Sequence, residues 1–289
     1  MGITRFAQNE LTRLSYEVEG PDTADVAVLL HATLLDKTSL GPLRDVLAER
    51  MRVVMPDARG HGGSTALKDR SLTVTDMAND LFAVLEAESL IDPAMSLHLV
   101  GHGQGAITAL ELARRRPDVI ASLTLIEPDA LSLIEDERDA GIARALEAAR
   151  SANREASDAA YKGLADRALG LYLNRRWGEG WKDGLNRPRL AAIRRNVLAL
   201  SPSLDALDRY RMLPEDAAEI TVPARVVSAA TAPLAERTVA ARLGAWLPRG
   251  RTVYVADLPG GAPMGGAGQA AINLIDGWLA EQQSSVASE

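Results

Sequence analysis

The chain alternates short apolar runs with longer runs in which hydrophobic residues return at helical spacing. Short apolar runs are typical of buried strands, and the longer amphipathic runs of helices that cover a sheet. Their alternation predicts βαβ units and a mostly parallel sheet. The predicted strands are Arg13–Glu19, Val26–His31, Arg52–Met55, Leu97–Val100, Ser122–Ile126, Ala224–Ser228 and Thr252–Val255. The predicted helices are about Leu40–Arg50, Thr75–Glu88, Ala106–Arg116, Ala235–Leu247 and Gly268–Ala280.

The alternation breaks once, between about Leu131 and Pro214. That stretch has no convincing strand pattern and is rich in Ala and Arg at helical spacing, as in Gly141–Arg154 and Arg189–Leu200. An insertion between two strands is expected to lie over the carboxyl edge of the sheet, where α/β folds bind ligands. We therefore predict a core formed by residues 1–130 and 215–289 and a helical lid formed by residues 131–214.

Composition narrows the classes of partner. The chain has 289 residues, of which 47% are hydrophobic and 25% charged, as in a globular protein with a large core. A net charge of -7 argues against binding to the phosphate backbone of nucleic acids. The absence of cysteine excludes disulfides, thiolate metal sites and a cysteine nucleophile. With no signal-peptide core and no long uncharged apolar run, we expect a cytoplasmic protein without a membrane partner, and the oligomeric state stays open.

Three motifs follow predicted strands: His31-Ala32-Thr33, then PDARGHGGS at residues 56–64, then LHLVGHGQGAITALE at residues 97–111. They resemble the HG-x turn, the PDxRGHGxS loop and the G-x-S-x-G nucleophile elbow of the α/β-hydrolase superfamily. The resemblance covers nearly the whole chain. It implies an α/β-hydrolase fold, with a mostly parallel sheet of about eight strands flanked by helices and a helical lid inserted.

The resemblance also implies a nucleophile, an acid and a histidine in that order along the chain. Gly103 stands where the nucleophile belongs, and Ala232 occupies the usual position of the acid. The turn that carries the histidine offers Pro263, or Gly261 if the register slips by two residues. The chain therefore resembles a member of the superfamily that lacks the Ser-Asp-His triad. A substitute acid remains in Glu127 and Asp129, which follow the preceding strand.

The four histidines are His31, His61, His98 and His102, so none follows residue 102. We expect His31 and His61 to bind the backbone of their turns, and His98 to be packed within a strand. His102 flanks the elbow and is expected to point away from the pocket. Without cysteines or an H-x-x-x-H spacing, neither a metal nor a cofactor is expected.

The backbone of the elbow either still anchors a ligand or is now only a tight turn. The resemblance implies an oxyanion hole made by the N–H groups of Thr33 and Gln104, the second of which opens a helix and lies at its positive end. The predicted ligand contacts, with a mostly apolar floor, are Thr33, Leu34, Gly103, Gln104, Trp177, Trp181 and Met264. The two tryptophans alternatively anchor the lid. The arginines nearby, including Arg175 and Arg176, either attract an anionic ligand or form a solvated helix face, and we favour the solvated face.

Three functions remain. The first is a triad-deficient protein that binds a small, largely apolar molecule with a carbonyl or carboxylate group, without ordinary ester hydrolysis. The second is a non-hydrolytic enzyme, such as a lyase, isomerase or cyclase, that uses the Thr33 and Gln104 amides. The third is an unusual hydrolase in which Glu127 or Asp129 activates water.

Overall fold

A computed structural model describes residues 3–10, 12–65, 72–183, 185–256, 258 and 268–286. Its centre is a sheet of eight strands in the order β1-β2-β4-β3-β5-β6-β7-β8. β2 runs antiparallel to both β1 and β4, and the remaining neighbours are parallel. The predicted mostly parallel sheet of about eight strands is confirmed. The strands are Ile3–Asn9, Thr12–Glu19, Asp25–Leu30, Arg52–Pro56, Ser96–His102, Ile120–Ile126, Ala224–Ala229 and Gly250–Val255, numbered β1 to β8.

Helices cover both faces of the sheet. In chain order, α1 to α10 span Gly41–Leu47, Val74–Ala87, Gln104–Arg115, Ala140–Tyr161, Ala165–Trp177, Arg187–Arg195, Leu200–Arg209, Pro214–Ala218, Leu234–Trp246 and Gln269–Val286. Alternate residues of β3 point to opposite faces, so Val26 and Val28 pack with α2, α3 and α9, while Ala27 and Leu29 pack with α1 and α10. Both faces are buried, which explains why the central strands are continuous apolar runs.

The edge strand β1 does not have the apolar pattern of the central strands. β1 pairs only with β2, and Ala7 is its one buried residue. A strand exposed on most of its surface needs no hydrophobic run, so the sequence pattern predicted seven strands and missed this one. Elsewhere the predicted ends shift by a few residues: α3 begins at Gln104 rather than Ala106, and α10 continues to Val286 rather than Ala280.

Every element that the structure describes between β6 and β7 is helical. The helices α4 to α7 build a second apolar cluster that also takes in Leu34 and Leu35 from the turn after β3. Asn196 joins the same two parts, because its amide nitrogen donates to the carbonyls of Leu34 and Leu35 at 3.0 and 2.8 Å. We call the segment from α4 to α7 the inserted helices. Among the described helices, none is both long and apolar enough to cross a membrane.

Candidate functional site

The turn after β5 keeps the backbone of an elbow at a glycine. Gly103 has φ 56° and ψ -116°, and it caps the beginning of α3. Its N–H donates to the carbonyl of Ile126 at 2.8 Å, which fixes the turn to the end of β6. A Cβ added to Gly103 would lie 2.8 Å from the Cβ of Ala32. The methyl group of Ala32 therefore occupies part of the space that a side chain at position 103 needs.

Two backbone N–H groups flank this glycine. Those of Thr33 and Gln104 have no hydrogen-bond acceptor among the described residues. The side chains of the same residues bind each other, since the Thr33 hydroxyl donates to Gln104 Oε1 at 3.0 Å and both are buried. Gln104 is the first residue of α3, where the helix dipole favours negative charge. The pair can bind a carbonyl or carboxylate oxygen.

Two histidines support the turns beneath this amide pair. His31 Nε2 accepts from the Ala58 N–H at 2.9 Å, and His61 Nε2 accepts from the Leu34 N–H at 3.1 Å. Burial lowers the pKa of His61 to about 3, so the ring is neutral and its Nδ1 donates to the Arg59 carbonyl. Both imidazoles hold backbone, as expected. Within the described ranges, no three His, Asp or Glu side chains are grouped as metal ligands.

A cleft opens above Gly103, between the carboxyl ends of the strands and α5. Its volume is about 610 Å³, including the open mouth. Thr33, Gly103 and Trp177 line it, as the sequence predicts, and Ala232 lines it at the usual position of the acid. The other polar or charged groups in the described lining are His102, Glu127, Asp129, Tyr172, Arg176, Thr231 and Glu236. The described lining is thus far more polar than the predicted apolar floor.

Several predicted contacts lie elsewhere. Leu34 has φ 71° and is fully buried against the inserted helices, outside the lining of the cleft. Trp181 packs in the same cluster and meets Trp177 edge-on at 6.1 Å between ring centroids, so it anchors the helices instead. Gln104 is also outside the described lining, because its side chain is turned to Thr33 and borders a separate pocket. Its N–H belongs to the residue directly after Gly103, which does line the cleft. Gly261, Pro263 and Met264 lie outside the described residues.

The arginines Arg175 and Arg176 of α5 are half-buried and paired with carboxylates rather than solvated. Arg176 contacts the carboxylate of Asp129 and lies 4.9 Å from the centre of the Tyr172 ring. The Tyr172 hydroxyl donates to the same carboxylate at 3.1 Å, and burial raises the pKa of that hydroxyl. Arg175 binds Glu236 in the same way. Helical spacing alone did not show that this face of α5 meets carboxylates from the core.

The two candidate acids have different surroundings. Asp129 is engaged by Arg176 and Tyr172, whereas Glu127 binds the backbone N–H of Ala229 and has no ion pair among the described residues. Glu127 is 9% exposed, and burial raises the pKa of its carboxyl. Its backbone has φ 45°, in the left-handed region that a residue with a side chain rarely adopts. His102 is also among the residues that line the cleft.

Comparison with known proteins decides the family. The family model described as alpha/beta hydrolase fold matches residues 28–261, which is most of the chain and includes every turn of the site. The chain belongs to the α/β-hydrolase family. The inserted helices lie within the matched part, between β6 and β7 of this chain.

Curated relatives match only part of this α/β-hydrolase-fold protein. A protein of Variovorax paradoxus (strain S110) named as carbamate hydrolase RutD is 36% identical over 115 residues, or 39% of this chain and 41% of its own. The sn-1-specific diacylglycerol lipase ABHD11 of Mus musculus is 36% identical over 117 residues, which are 39% of this chain and 36% of the lipase. These matches span less than half the length of either relative.

Solved structures superimpose on this chain over almost its full length. The enol-lactonase from Burkholderia xenovorans LB400 superimposes with a TM-score of 0.71 at 20% identity, covering 97% of this chain and 100% of the lactonase. A thermophilic esterase from Thermogutta terrifontis gives 0.72 at 21% identity, covering 98% and 99%. At these identities the likeness shows the shared fold.

Proposed function

We propose that this chain binds a small molecule with a carbonyl or carboxylate group in the cleft above Gly103, without the chemistry of a serine hydrolase. The observation that carries the proposal is the elbow itself. Its backbone conformation is retained at a residue with no nucleophile, beside two N–H groups that have no acceptor among the described residues. The sequence contains no histidine after residue 102 to act as the family's base.

The amide pair supplies the binding energy for the oxygen. A hydrogen bond in a partly buried site contributes about 0.5–1.5 kcal/mol, and more when the acceptor is charged. The N-terminus of α3 adds a favourable dipole. The inserted helices form, in this proposal, a lid of residues 131–214 over a core of residues 1–130 and 215–289. Its α5 contributes Tyr172, Arg176 and Trp177 to the cleft.

The polar lining modifies the ligand expected from the sequence. An acceptor oxygen binds the amides of Thr33 and Gln104, while the remaining part of the molecule meets hydrogen-bonding groups as well as Trp177 and Ala232. The ligand is therefore a small polar carbonyl compound rather than a long hydrocarbon. The named relatives are hydrolases, so hydrolysis is the activity that an experiment has to exclude.

A matched pair of variants tests the amide pair. Gln104→Ala removes the side chain but keeps the N–H, whereas Gln104→Pro removes the N–H at the first position of a helix, where proline is tolerated. Saturation-transfer NMR with cyclohexanone and with hexanoate measures binding. We expect at least one probe to bind the wild type and Gln104→Ala, with affinity falling about tenfold in Gln104→Pro because one hydrogen bond is lost.

Hydrolysis is assayed with p-nitrophenyl acetate and butyrate. We expect no turnover above buffer for the wild type. Ester hydrolysis that disappears in Gln104→Pro, or failure of both NMR probes to bind the wild type, would overturn the proposed function. Gln104→Pro must keep the melting temperature of Gln104→Ala within a few degrees for the comparison to count.

A further inference from the structure

The residue that follows β6 is held in a strained backbone conformation beside the elbow. Glu127 has φ 45°, which costs a residue with a side chain about 1 kcal/mol or more. Its N–H donates to the Val227 carbonyl at 2.8 Å, while Gly103 donates to the adjacent carbonyl of Ile126. The strained residue and the glycine of the elbow are therefore neighbours across two parallel strands. Strain of this kind is concentrated at functional sites.

The carboxyl group of Glu127 is oriented by backbone. Its Oε1 accepts from the N–H of Ala229 at the end of β7, so the side chain spans from β6 to β7 and lines the cleft. The acid position of β7 is taken by Ala232, which contributes only a methyl group to the same lining. The cleft thus contains a carboxyl group fixed by backbone, in a lining that it shares with Thr33 and Gly103.

Asp129, the other candidate acid, is already bound by side chains of α5. Arg176 pairs with its Oδ1 and the Tyr172 hydroxyl donates to its Oδ2, so the guanidinium balances the charge and both oxygens have a partner. The groups that act electrostatically on Glu127 are Arg176 from α5 and Glu236 from α9, and His102 lines the same cleft. The hydrogen bonds and the charge of Arg176 lower the pKa of the Glu127 carboxyl, but burial has the larger effect and raises it. A raised carboxyl pKa favours proton transfer near neutral pH.

We infer that Glu127 is a proton-transfer residue, which removes a proton from the carbon next to a ligand carbonyl whose oxygen binds the Thr33 and Gln104 N–H groups. This inference rests on the proposed function, because it uses the same bound carbonyl. It selects one of the two candidate acids and gives the site a reaction class, enolisation of small ketones. The chemistry needs neither a nucleophile at position 103 nor a histidine after residue 102.

The step balances without a further reactant. The Glu127 carboxylate takes the proton, the electron pair of the broken C–H bond forms a C=C bond, and the π pair of the carbonyl moves to oxygen. The enolate oxygen gains negative charge and accepts the two N–H bonds, which is where preorganised donors stabilise a transition state most. Return of the proton from the Glu127 carboxylic acid to carbon restores the ketone, or yields an isomer if another carbon receives it.

Hydrogen–deuterium exchange tests this without knowledge of the natural substrate. Butanone, cyclopentanone and cyclohexanone are incubated in D₂O with the full chain, and loss of the α-proton signal is followed by ¹H NMR. We expect exchange above the buffer rate for at least one ketone. Glu127→Gln, which keeps an oxygen for the Ala229 N–H, should lower the rate at least about 100-fold, the smaller end of what acid–base catalysis contributes.

Control variants separate the alternatives. Glu127→Asp should retain measurable exchange, while Glu17→Gln, at a half-buried position outside the cleft, should leave the rate unchanged. The wild-type rate should rise with pH through the raised pKa of Glu127 and then level off, because the base is the carboxylate. If His102→Gln abolishes exchange while Glu127→Gln does not, the assignment to Glu127 is wrong.

Binding data distinguish the two proposals. A ketone that binds the wild type by saturation transfer but shows no exchange refutes proton transfer and leaves the proposed function standing. If no ketone in the panel binds or exchanges but hexanoate binds, the carboxylate form of the proposed function survives and enolisation fails. Absence of binding by every probe overturns both.

Discussion

Placing a serine at position 103 should be costly, and part of the cost should depend on Ala32. The added Cβ would lie 2.8 Å from the Cβ of Ala32, where carbon atoms normally approach to about 3.5–4.0 Å. Relief of such a contact costs about 1–3 kcal/mol. The backbone at φ 56° adds about 1–3 kcal/mol for a residue with a side chain. We expect Gly103→Ser to lower the free energy of unfolding by about 4 kcal/mol.

Removal of the Ala32 methyl group isolates the steric part. Ala32→Gly alone should cost about 0.5–1 kcal/mol through backbone entropy. In the double variant the close contact is gone. Its loss in free energy of unfolding should therefore be about 1–2 kcal/mol smaller than the sum of the losses in the two single variants. Urea denaturation followed by circular dichroism measures all four proteins, with Gly170→Ser as a control because nothing lies within 4 Å of a Cβ there.

Losses from Gly103→Ser and Ala32→Gly that add to within about 0.5 kcal/mol would refute a steric contact between the two positions, since distant independent sites are additive in this way. The same holds if Gly103→Ser costs no more than Gly170→Ser. We also expect no esterase activity in the double variant, because the sequence has no histidine after residue 102 to activate the new hydroxyl.

Three further predictions concern the contacts around the site. Arg176→Met should lower the free energy of unfolding by about 3 kcal/mol, because it removes the guanidinium that pairs with the buried carboxylate of Asp129. Arg194→Met, at an exposed ion pair, should lower it by less than about 1 kcal/mol. Equal losses in urea titrations of the two variants would contradict this prediction. Asn196→Ala removes three hydrogen bonds to backbone of the two turns and should cost about 2–3 kcal/mol by the same measurement, so a loss below 0.5 kcal/mol would show that water replaces them. Burial lowers the pKa of His61 to about 3 and of His98 to about 4, below the unfolded value of 6.5, so the unfolded chain takes up protons first and stability should fall as pH drops from 6.5 towards 4. Melting temperature against pH should be flatter in His98→Asn than in the wild type, and identical curves would contradict the assignment.

The turns of the site show where sequence patterns are informative. Glycines at positions 101 and 105 are required because a Cβ at either would lie 2.3–2.4 Å from backbone, so the G-x-G-x-G spacing reports a real close approach of β5, α3 and β3. The absence of a histidine after residue 102 is likewise a property of the sequence alone. In contrast, Leu34 was expected at the cleft from its position in the motif, but φ 71° turns its side chain to the inserted helices.

Charged residues were the least predictable part. Arg176 and Asp129 are separated by 47 positions, and only the docking of α5 on the end of β6 brings them into contact. Glu236 reaches the cleft in the same way from α9. Local periodicity reports which face of a helix is apolar, but it cannot report which charge on another element will meet that helix.

The sequence by itself determined the alternation of strands and helices, the position of the insertion and the family, because hydrophobic periodicity and glycine spacing are local properties. It also determined that no histidine follows residue 102. Only the tertiary structure decided that Ala32 fills the space beside Gly103 and that Arg176 pairs with Asp129 while Glu127 binds backbone. It also decided that the described lining of the cleft is polar. Those outcomes depend on which strand ends and helices meet at one edge of the sheet, and distances between elements far apart in the chain are set by packing.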